Sequence, residues 1–404
     1  MAAPTVEGVA PAPRHARRSR FRRLLLTITI AMHVPVALAV AELARRLHLP
    51  APGLVGVAWA AAGAGLFAGR ARALMTDRKR GAAVVQLVEV PYFIHWCAAA
   101  WTFLLAPVET LVLPAIDLAR GVPVHVPMGA YLWTYLSGLA VSAYGVLIRR
   151  RWFRVVEREL PVPGLDVRLD GLRVAHLSDL HIGTFTPKSW AMAWARAANA
   201  AGADVAVVTG DLVTSGTDFH DEIADVVASL RAPLGVFASM GNHDYFGDGQ
   251  PLIAMLGARG VHVLRNEGRV LERGGARLWL AAIDDTWTHR DDLAAALRGR
   301  PEGVPTLLLA HDPARFDPAA DAGVEIVLSG HTHGGQIALP FLARWVSLSS
   351  LAHPYNLGLY RRGRSTLYVH PGLGTTGPPI RLGVAPEVTI LVLRSPTTRQ
   401  ARGA

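Results

Sequence analysis

Seven side chains able to ligate metal fall in five short blocks between residues 178 and 333 of a 404-residue chain. They are Asp179 and His181 in Ser178-Asp179-Leu180-His181, Asp211 in Gly210-Asp211, Asn242 in Gly241-Asn242-His243-Asp244, a single His311, and His331 and His333 in Gly330-His331-Thr332-His333. The set offers oxygen and imidazole nitrogen and no thiolate. That mixture suits Mn²⁺, Fe or Zn²⁺ better than Ca²⁺, which takes oxygen ligands. Seven ligands exceed one tetrahedral site and suit two divalent ions bridged by a carboxylate, about 3.5–4 Å apart. Such a pair holds phosphoryl oxygens, lowers the pKa of a bridging water and neutralises charge during an in-line displacement. The expected chemistry is hydrolysis of a phosphodiester or pyrophosphate bond by a metal-bridging hydroxide.

The elements that must position these residues are short and apolar. Runs at 172–177, 205–209, 236–240, 278–283, 306–310 and 326–329 alternate with helix-like stretches such as 189–201, 218–230 and 291–297. Short buried strands alternating with helices indicate an α/β domain. The run at 278–283 follows a hairpin signal, Gly274-Gly275. Five of the runs lead directly into a ligand block, and ligands bind at the carboxyl ends of strands in such sheets. Taken singly, a Gly-Asp pair is a turn and Asn-His-Asp a helix cap. Five in order after strands are a binding edge.

This run of blocks resembles the calcineurin-like metallophosphoesterase superfamily, whose pattern is D-x-H, GD, GNH followed by an acid, a strand-ending H and GHxH. The phrases HLSDLHIG, GHTHGGQI and PPIRLGVAPEV resemble its bacterial YkuE/YaeI-like branch. The resemblance covers residues 172 to about 394. It implies a four-layer α/β/β/α sandwich of two mixed sheets flanked by helices. It also implies ligand roles: Asp179, His181 and His333 for one ion, Asn242, His311 and His331 for the other, and Asp211 as the bridge. His243 resembles the non-ligand histidine that contacts phosphate and protonates the leaving oxygen, a task an imidazole suits near neutral pH. Asp244 is expected to orient His243. Arg381, in Pro378-Pro379-Ile380-Arg381, is either a phosphate clamp or a structural ion pair. His176, His220, His262, His289 and His353 fit no block and read as core or surface residues. His370 is left open.

The first part of the chain has a different composition. Residues 1–160 hold 19 Lys/Arg against 8 Asp/Glu, and the remainder 22 against 23. The basic excess is therefore not on the domain with the chemistry, which argues against a nucleic-acid partner. One cysteine, Cys97, excludes an intrachain disulfide and a thiolate zinc site. Overall, 51 % of residues are hydrophobic and the mean hydropathy is +0.28. Charge-free stretches at 24–41, 50–69, 90–108 and 128–148 approach or exceed the roughly 20 residues that cross a bilayer as helix. A signal peptide would explain only the first. His33, His95 and His125 lie at or near membrane depth and are expected as neutral groups bonded across helices.

Arginine and lysine crowd the segment before the first stretch, the loop at 70–80 (Arg70, Arg72, Arg78, Lys79, Arg80) and the turn at 149–154. By the positive-inside tendency these face the cytoplasm. The expectation is a multi-pass protein of the bacterial inner membrane with its catalytic domain cytoplasmic. A twin-arginine export signal at Arg22-Arg23 is the competing reading, weakened by Phe21 where a polar residue normally stands. The resulting organisation is a basic segment (1–23), four spans (24–148), a basic linker (149–170), the catalytic domain (171–395) and a tail (396–404). Residues 160–404 are expected to fold alone. The partners expected are membrane lipids and a phosphoester substrate, lipid-linked in one version. The resemblance offers one such case, a UDP-diacylglucosamine-type pyrophosphatase of lipid A synthesis, and a non-catalytic membrane receptor is the alternative from another class. The apolar stretch 337–351, with Leu339, Phe341, Leu342 and Trp345, is either loop core or a lipid-touching segment.

Overall fold

A computed structural model describes residues 14–70, 77–339 and 342–396. The first 13 residues, Arg72, Phe341 and the tail beyond 396 lie outside the described residues, as do the side chains of 14–22. Two compact units are present: Met1–Leu74 with Pro91–Ser142, and Met75–Val90 with Ala143–Ala404.

Among the described residues, four helices are long and apolar enough to cross a membrane: Arg23–Arg46, Pro52–Arg70, Ala82–Ala119 and Met128–Arg151. In the first unit Met32, Val36, Ala39, Ala98, Ala99, Tyr131, Leu132 and Tyr135 form a packed centre. Large apolar side chains such as Leu54, Leu104 and Leu111 are exposed, an arrangement suited to hydrocarbon surroundings. The third helix outruns the expected 90–108, because the carboxylates flanking that stretch have partners. Thr134 donates to Glu109, and Arg80 pairs with Glu89. Two of the three histidines, His33 and His95, meet as expected of groups bonded across helices, whereas His125 is exposed outside the helices with its N–H on Asp117. His33 Nε2 lies 3.0 Å from His95 Nε2, and His95 Nδ1 lies 2.8 Å from the Tyr135 hydroxyl.

The described residues of the second unit form twelve strands: β1 (Arg154–Pro161), β2 (Arg173–Leu177), β3 (Val205–Thr209), β4 (Val236–Ser239), β5 (His262–Val263), β6 (Glu267–Arg273), β7 (Ala276–Ala282), β8 (Thr306–Leu309), β9 (Ile326–Ser329), β10 (Gly358–Arg362), β11 (Ser365–Val369) and β12 (Glu387–Arg394). They form two six-stranded sheets, ordered β1-β12-β2-β3-β4-β5 and β10-β11-β9-β8-β7-β6. Both are mixed. β2, β3 and β4 run parallel, as do β7, β8, β9 and β11, while β12 is antiparallel to β2 and β6 to β7.

The central strands read as unbroken apolar runs because both of their faces are covered. In β3, Ala206 and Val208 face the helices Lys188–Ala200, His220–Ala228 and Gln250–Ala258, while Val205 and Val207 face the other sheet. In β9, Ile326 and Leu328 join the layer between the sheets, and Val327 packs towards Phe316–Asp321. This period-two partition, repeated in both sheets, produces the α/β/β/α sandwich.

One expected boundary is corrected. The stretch taken as a linker supplies β1, which pairs in parallel register with β12 from Arg154–Glu387 to Pro161–Arg394. An edge strand covered on one face only keeps polar residues, so Arg154, Glu157 and Glu159 disguised it. A fragment beginning at 160 would cut through this strand. It would also lack residues 77–80, which belong to the same unit as the sandwich.

Candidate metal centre

The parallel strands deliver their carboxyl ends to one edge. Asp179 and His181 follow β2, Asp211 follows β3, Asn242 follows β4, His311 follows β8, and His331 and His333 follow β9. Tight turns there force unusual backbone. Asp179, His181, Asp211, His331 and His333 have φ of 52°, 44°, 52°, 68° and 53°, in the left-handed region that non-glycine residues seldom occupy. Holding such conformations costs on the order of 1–3 kcal/mol each and persists where surrounding structure dictates it. Gly330 keeps the last block close to the first: a Cβ there would stand 2.0 Å from Ser178 Oγ and 2.2 Å from Asp179 Oδ2.

All seven expected ligands come together. Ligand atoms of Asp179, His181, Asp211 and His333 lie within 4.8 Å of one another, as do those of Asp211, His311 and His331, so Asp211 belongs to both groups. His181 Nε2 and His333 Nε2 are 3.0 Å apart, with Asp179 Oδ1 3.2 Å from His333 and Asp211 Oδ2 3.4 Å from His181. Asp211 Oδ2 is also 3.3 Å from His311 Nε2. Asn242 Oδ1 sits 3.1 Å from His331 Nδ1, which brings the seventh ligand to the second group. His311 Nδ1 donates to the Thr209 carbonyl at 2.7 Å, which turns Nε2 towards Asp211. Buried carboxylate oxygens and imidazole lone pairs converging in this way fit divalent cations, since the opposing lone pairs have no other common partner.

Electrostatics agree. Burial works against ionised Asp211, yet His311 and His243 hold its carboxyl well below the usual range. Burial and His311 push His331 down to about 4. Burial likewise opposes charge on His311, but Asp211 beside it more than compensates and raises it to about 10. Below about pH 10 the ion-free site thus holds a proton that a cation must displace. Mn²⁺ affinity should rise by roughly tenfold per pH unit between 7 and 9. Calorimetric titration at three pH values checks this, and a flat profile would contradict it.

His243 is half-buried at the mouth. Its backbone N–H donates to Asp211 Oδ1 at 2.9 Å. Nδ1–H donates to the Thr214 carbonyl at 2.6 Å, leaving Nε2 facing Thr376 Oγ1 at 3.2 Å. Asp244 does not orient this ring. Its fully buried carboxylate accepts the N–H groups of Leu212, Val213 and Gly241 at 2.8, 3.2 and 2.9 Å, tying the loops after β3 and β4 together. A carboxylate on the residue after His243 points inward because its own 3-10 turn, His243–Tyr245, sends the two side chains apart.

Arg381 is not placed to clamp a phosphate. It is completely buried, and its guanidinium donates to the carbonyls of Pro371 and Gly374, with Nη2 3.3 Å from His333 Nδ1. It braces the loop behind His333. His370 is also fully buried, its ring tilted against that of His176 with centroids 4.8 Å apart. Residues missed from sequence are Thr214 and Thr376, which hold His243, and Gln336, which exchanges bonds of 2.7 and 2.9 Å with the Thr376 backbone. Trp287, 61 % exposed, stands 5.8 Å from the His331 ring, and His353 stands 5.4 Å from it. Gln336 follows the His333 block directly and was the one legible signal; Trp287 and His353 reach the site from loops remote in sequence.

Comparison with known proteins gives the same picture. Residues 172–335 match the model of the calcineurin-like phosphoesterase family. A zebrafish (Danio rerio) transmembrane protein with metallophosphoesterase domain is 32 % identical over 296 residues, covering 69 % of this chain and 67 % of that protein. The uncharacterised metallophosphoesterases YkuE and YkoQ of Bacillus subtilis are each 30 % identical, over 56 % and 54 % of this chain and 80 % and 82 % of their own lengths. With the five blocks, three from one sheet and two from the other, gathered where the strands end, and relatives matched along most of their length, this chain belongs to the calcineurin-like metallophosphoesterases.

Proposed function

We propose that the chain is a membrane-anchored hydrolase that uses two divalent cations to cleave a phosphodiester or pyrophosphate bond in an amphiphilic, lipid-linked substrate at the cytoplasmic surface. The observation that carries the two-ion reading is Asp211, common to both ligand groups. When bound, the cations would neutralise the phosphoryl oxygens and supply a nucleophilic water of lowered pKa. The protein's own residues do the rest. Asp179, His181, His333, Asn242, His311 and His331 would hold the ions together with Asp211. His243, with Nδ1 tied to Thr214, directs Nε2 at the mouth, where it delivers a proton to the leaving oxygen.

An amphiphilic substrate is supported by the segment after His333. Leu339, Leu342, Val346 and Leu351 are exposed, and Trp345 is 69 % exposed. Ile337 bridges to Leu382 and Gly383. Two residues before Leu382, Ile380 packs on the fourth apolar helix, so closely that a Cβ on Gly145 would lie 2.6 Å from it. The apolar segment therefore hangs from the strip that touches the end of a membrane helix. A cytoplasmic site is supported by the basic loops and by residues 77–80, which bond to the sandwich and so share its side of the membrane.

The full chain in lipid nanodiscs with Mn²⁺ should hydrolyse both an aryl phosphodiester and a lipid-linked phosphoester. Each exposed large side chain contributes about 1.5–3 kcal/mol when buried in hydrocarbon, so Leu342→Asp with Trp345→Asp should lower the lipid rate at least about tenfold. The soluble diester should be cleaved as before. An unchanged ratio of the two rates would remove the lipid part of the proposal. No hydrolysis of any phosphoester would favour the receptor reading.

A further inference from the structure

We propose that residues 77–80, which lead into the third apolar helix, are part of the catalytic site, with Asp77 as a positioning residue that sets His243. The inference rests on the hydrolytic reading above. Asp77 bonds to two active-site loops at once. Its carboxylate accepts the Thr184 backbone N–H at 2.8 Å and the Thr184 hydroxyl at 2.5 Å. Its own N–H donates to Ser215 Oγ at 2.8 Å. Thr184 lies three residues after His181, and Ser215 directly follows Thr214.

The two loops are already interleaved. Thr214 donates its N–H to the Ile182 carbonyl at 3.1 Å and its hydroxyl to the His181 carbonyl at 3.1 Å. The Thr214 carbonyl then takes the Nδ1–H of His243. Asp77 thus closes a ring: Asp77 to Ser215, along the chain to Thr214, across to His243 and His181, and back through Thr184. The bonds to its carboxylate are charge-assisted and so stronger and more directional than neutral ones. Lys79 anchors the next part of the loop, with Nζ 2.7 Å from Glu222 and its N–H donating to Asp218 at 3.2 Å. Asp77 and Lys79 bond to Thr184, Ser215, Asp218 and Glu222, none of them among the seven ligands, so the loop acts on the proton-delivering ring through the Thr214 carbonyl. Chain segments that enter and leave the membrane therefore hold the part of the site that handles the leaving group.

The test uses the full chain in detergent with Mn²⁺ and aryl phosphodiesters of graded leaving-group acidity. Misplacing a reacting group by about 1 Å costs up to about 10²-fold, so Asp77→Ala should lower kcat about ten- to a hundredfold for the poor leaving group. For the most acidic leaving group the loss should nearly vanish, with KM and bound metal unchanged. Asp77→Asn, which keeps one acceptor oxygen, should recover part of the rate. Combining Asp77→Ala with His243→Ala should add little to the loss of His243→Ala alone, because both act on one step. Should Asp77→Ala fail to fold, Ser215→Ala removes only the bond to the Asp77 N–H and should show the same leaving-group pattern in weaker form. A loss equal for all leaving groups, or additive with His243→Ala, would overturn the inference. If His243→Ala itself shows no dependence on the leaving group, the hydrolytic role of His243 fails instead, and the two failures are told apart.

Discussion

Asp211→Ala should abolish turnover and metal loading while the sandwich still folds. Asp211 contributes to both ligand groups, so its removal weakens two sites at once. Outer-shell partners alone are worth about 10–100-fold in affinity, and a shared ligand should exceed that. The fold should survive because His311, raised to about 10 by Asp211, sheds its proton once that carboxylate is gone and leaves no unpaired buried charge. Asp244, held up at about 7 by burial and then by Asp211, loses its acidic neighbour. The Asp211 carboxylate also accepts only one N–H, that of His243, apart from its contacts with histidines. The measurement is thermal unfolding with and without Mn²⁺ beside metal counting. Wild type should melt higher when Mn²⁺ is added, as any ligand that binds only the native state requires. The variant should melt at one temperature in both conditions. Full activity in a metal-depleted variant would end the two-ion account.

His243→Ala should have the next largest effect and a different signature. The ring belongs to neither ligand group, so bound metal should stay at the wild-type level. Loss of a positioned general acid should reduce the rate about 10²–10⁴-fold on a substrate with a basic leaving oxygen. A leaving group acidic enough to depart unprotonated should be cleaved nearly as well as by wild type. Equal losses on both substrates would reject proton delivery. Loss of metal in the variant would instead make the ring, and not the backbone N–H that alanine keeps, a determinant of the Asp211 position.

The two variants differ in what made them readable. Asp211 was legible because its block combines a β-strand, a glycine and a carboxylate, and only a strand end can place that carboxylate at a sheet edge. The same logic placed Asp179, His181, Asn242, His311, His331 and His333. Central strands such as Val205–Thr209 were legible because a strand covered on both faces is apolar throughout. β1 was not, because an edge strand exposes half of its residues and resembles a charged linker.

The sequence by itself determined the ligand types, the order in which strands present them, the four apolar helices and the family. These are local properties: a residue type beside a strand end, or a run long enough to cross a bilayer. Tertiary structure decided orientation. His243 is aimed by a carbonyl 29 residues earlier, and His311 by one 102 residues earlier. Asp244 and Arg381 carry groups suited to a site, yet each turns into the interior because backbone N–H groups or carbonyls there have no other partner. Asp77 reaches Thr184 across 107 residues and an intervening pair of apolar helices. A motif names donors and acceptors; which of them face the substrate depends on where distant backbone polar groups must be satisfied once buried, and only the folded chain settles that.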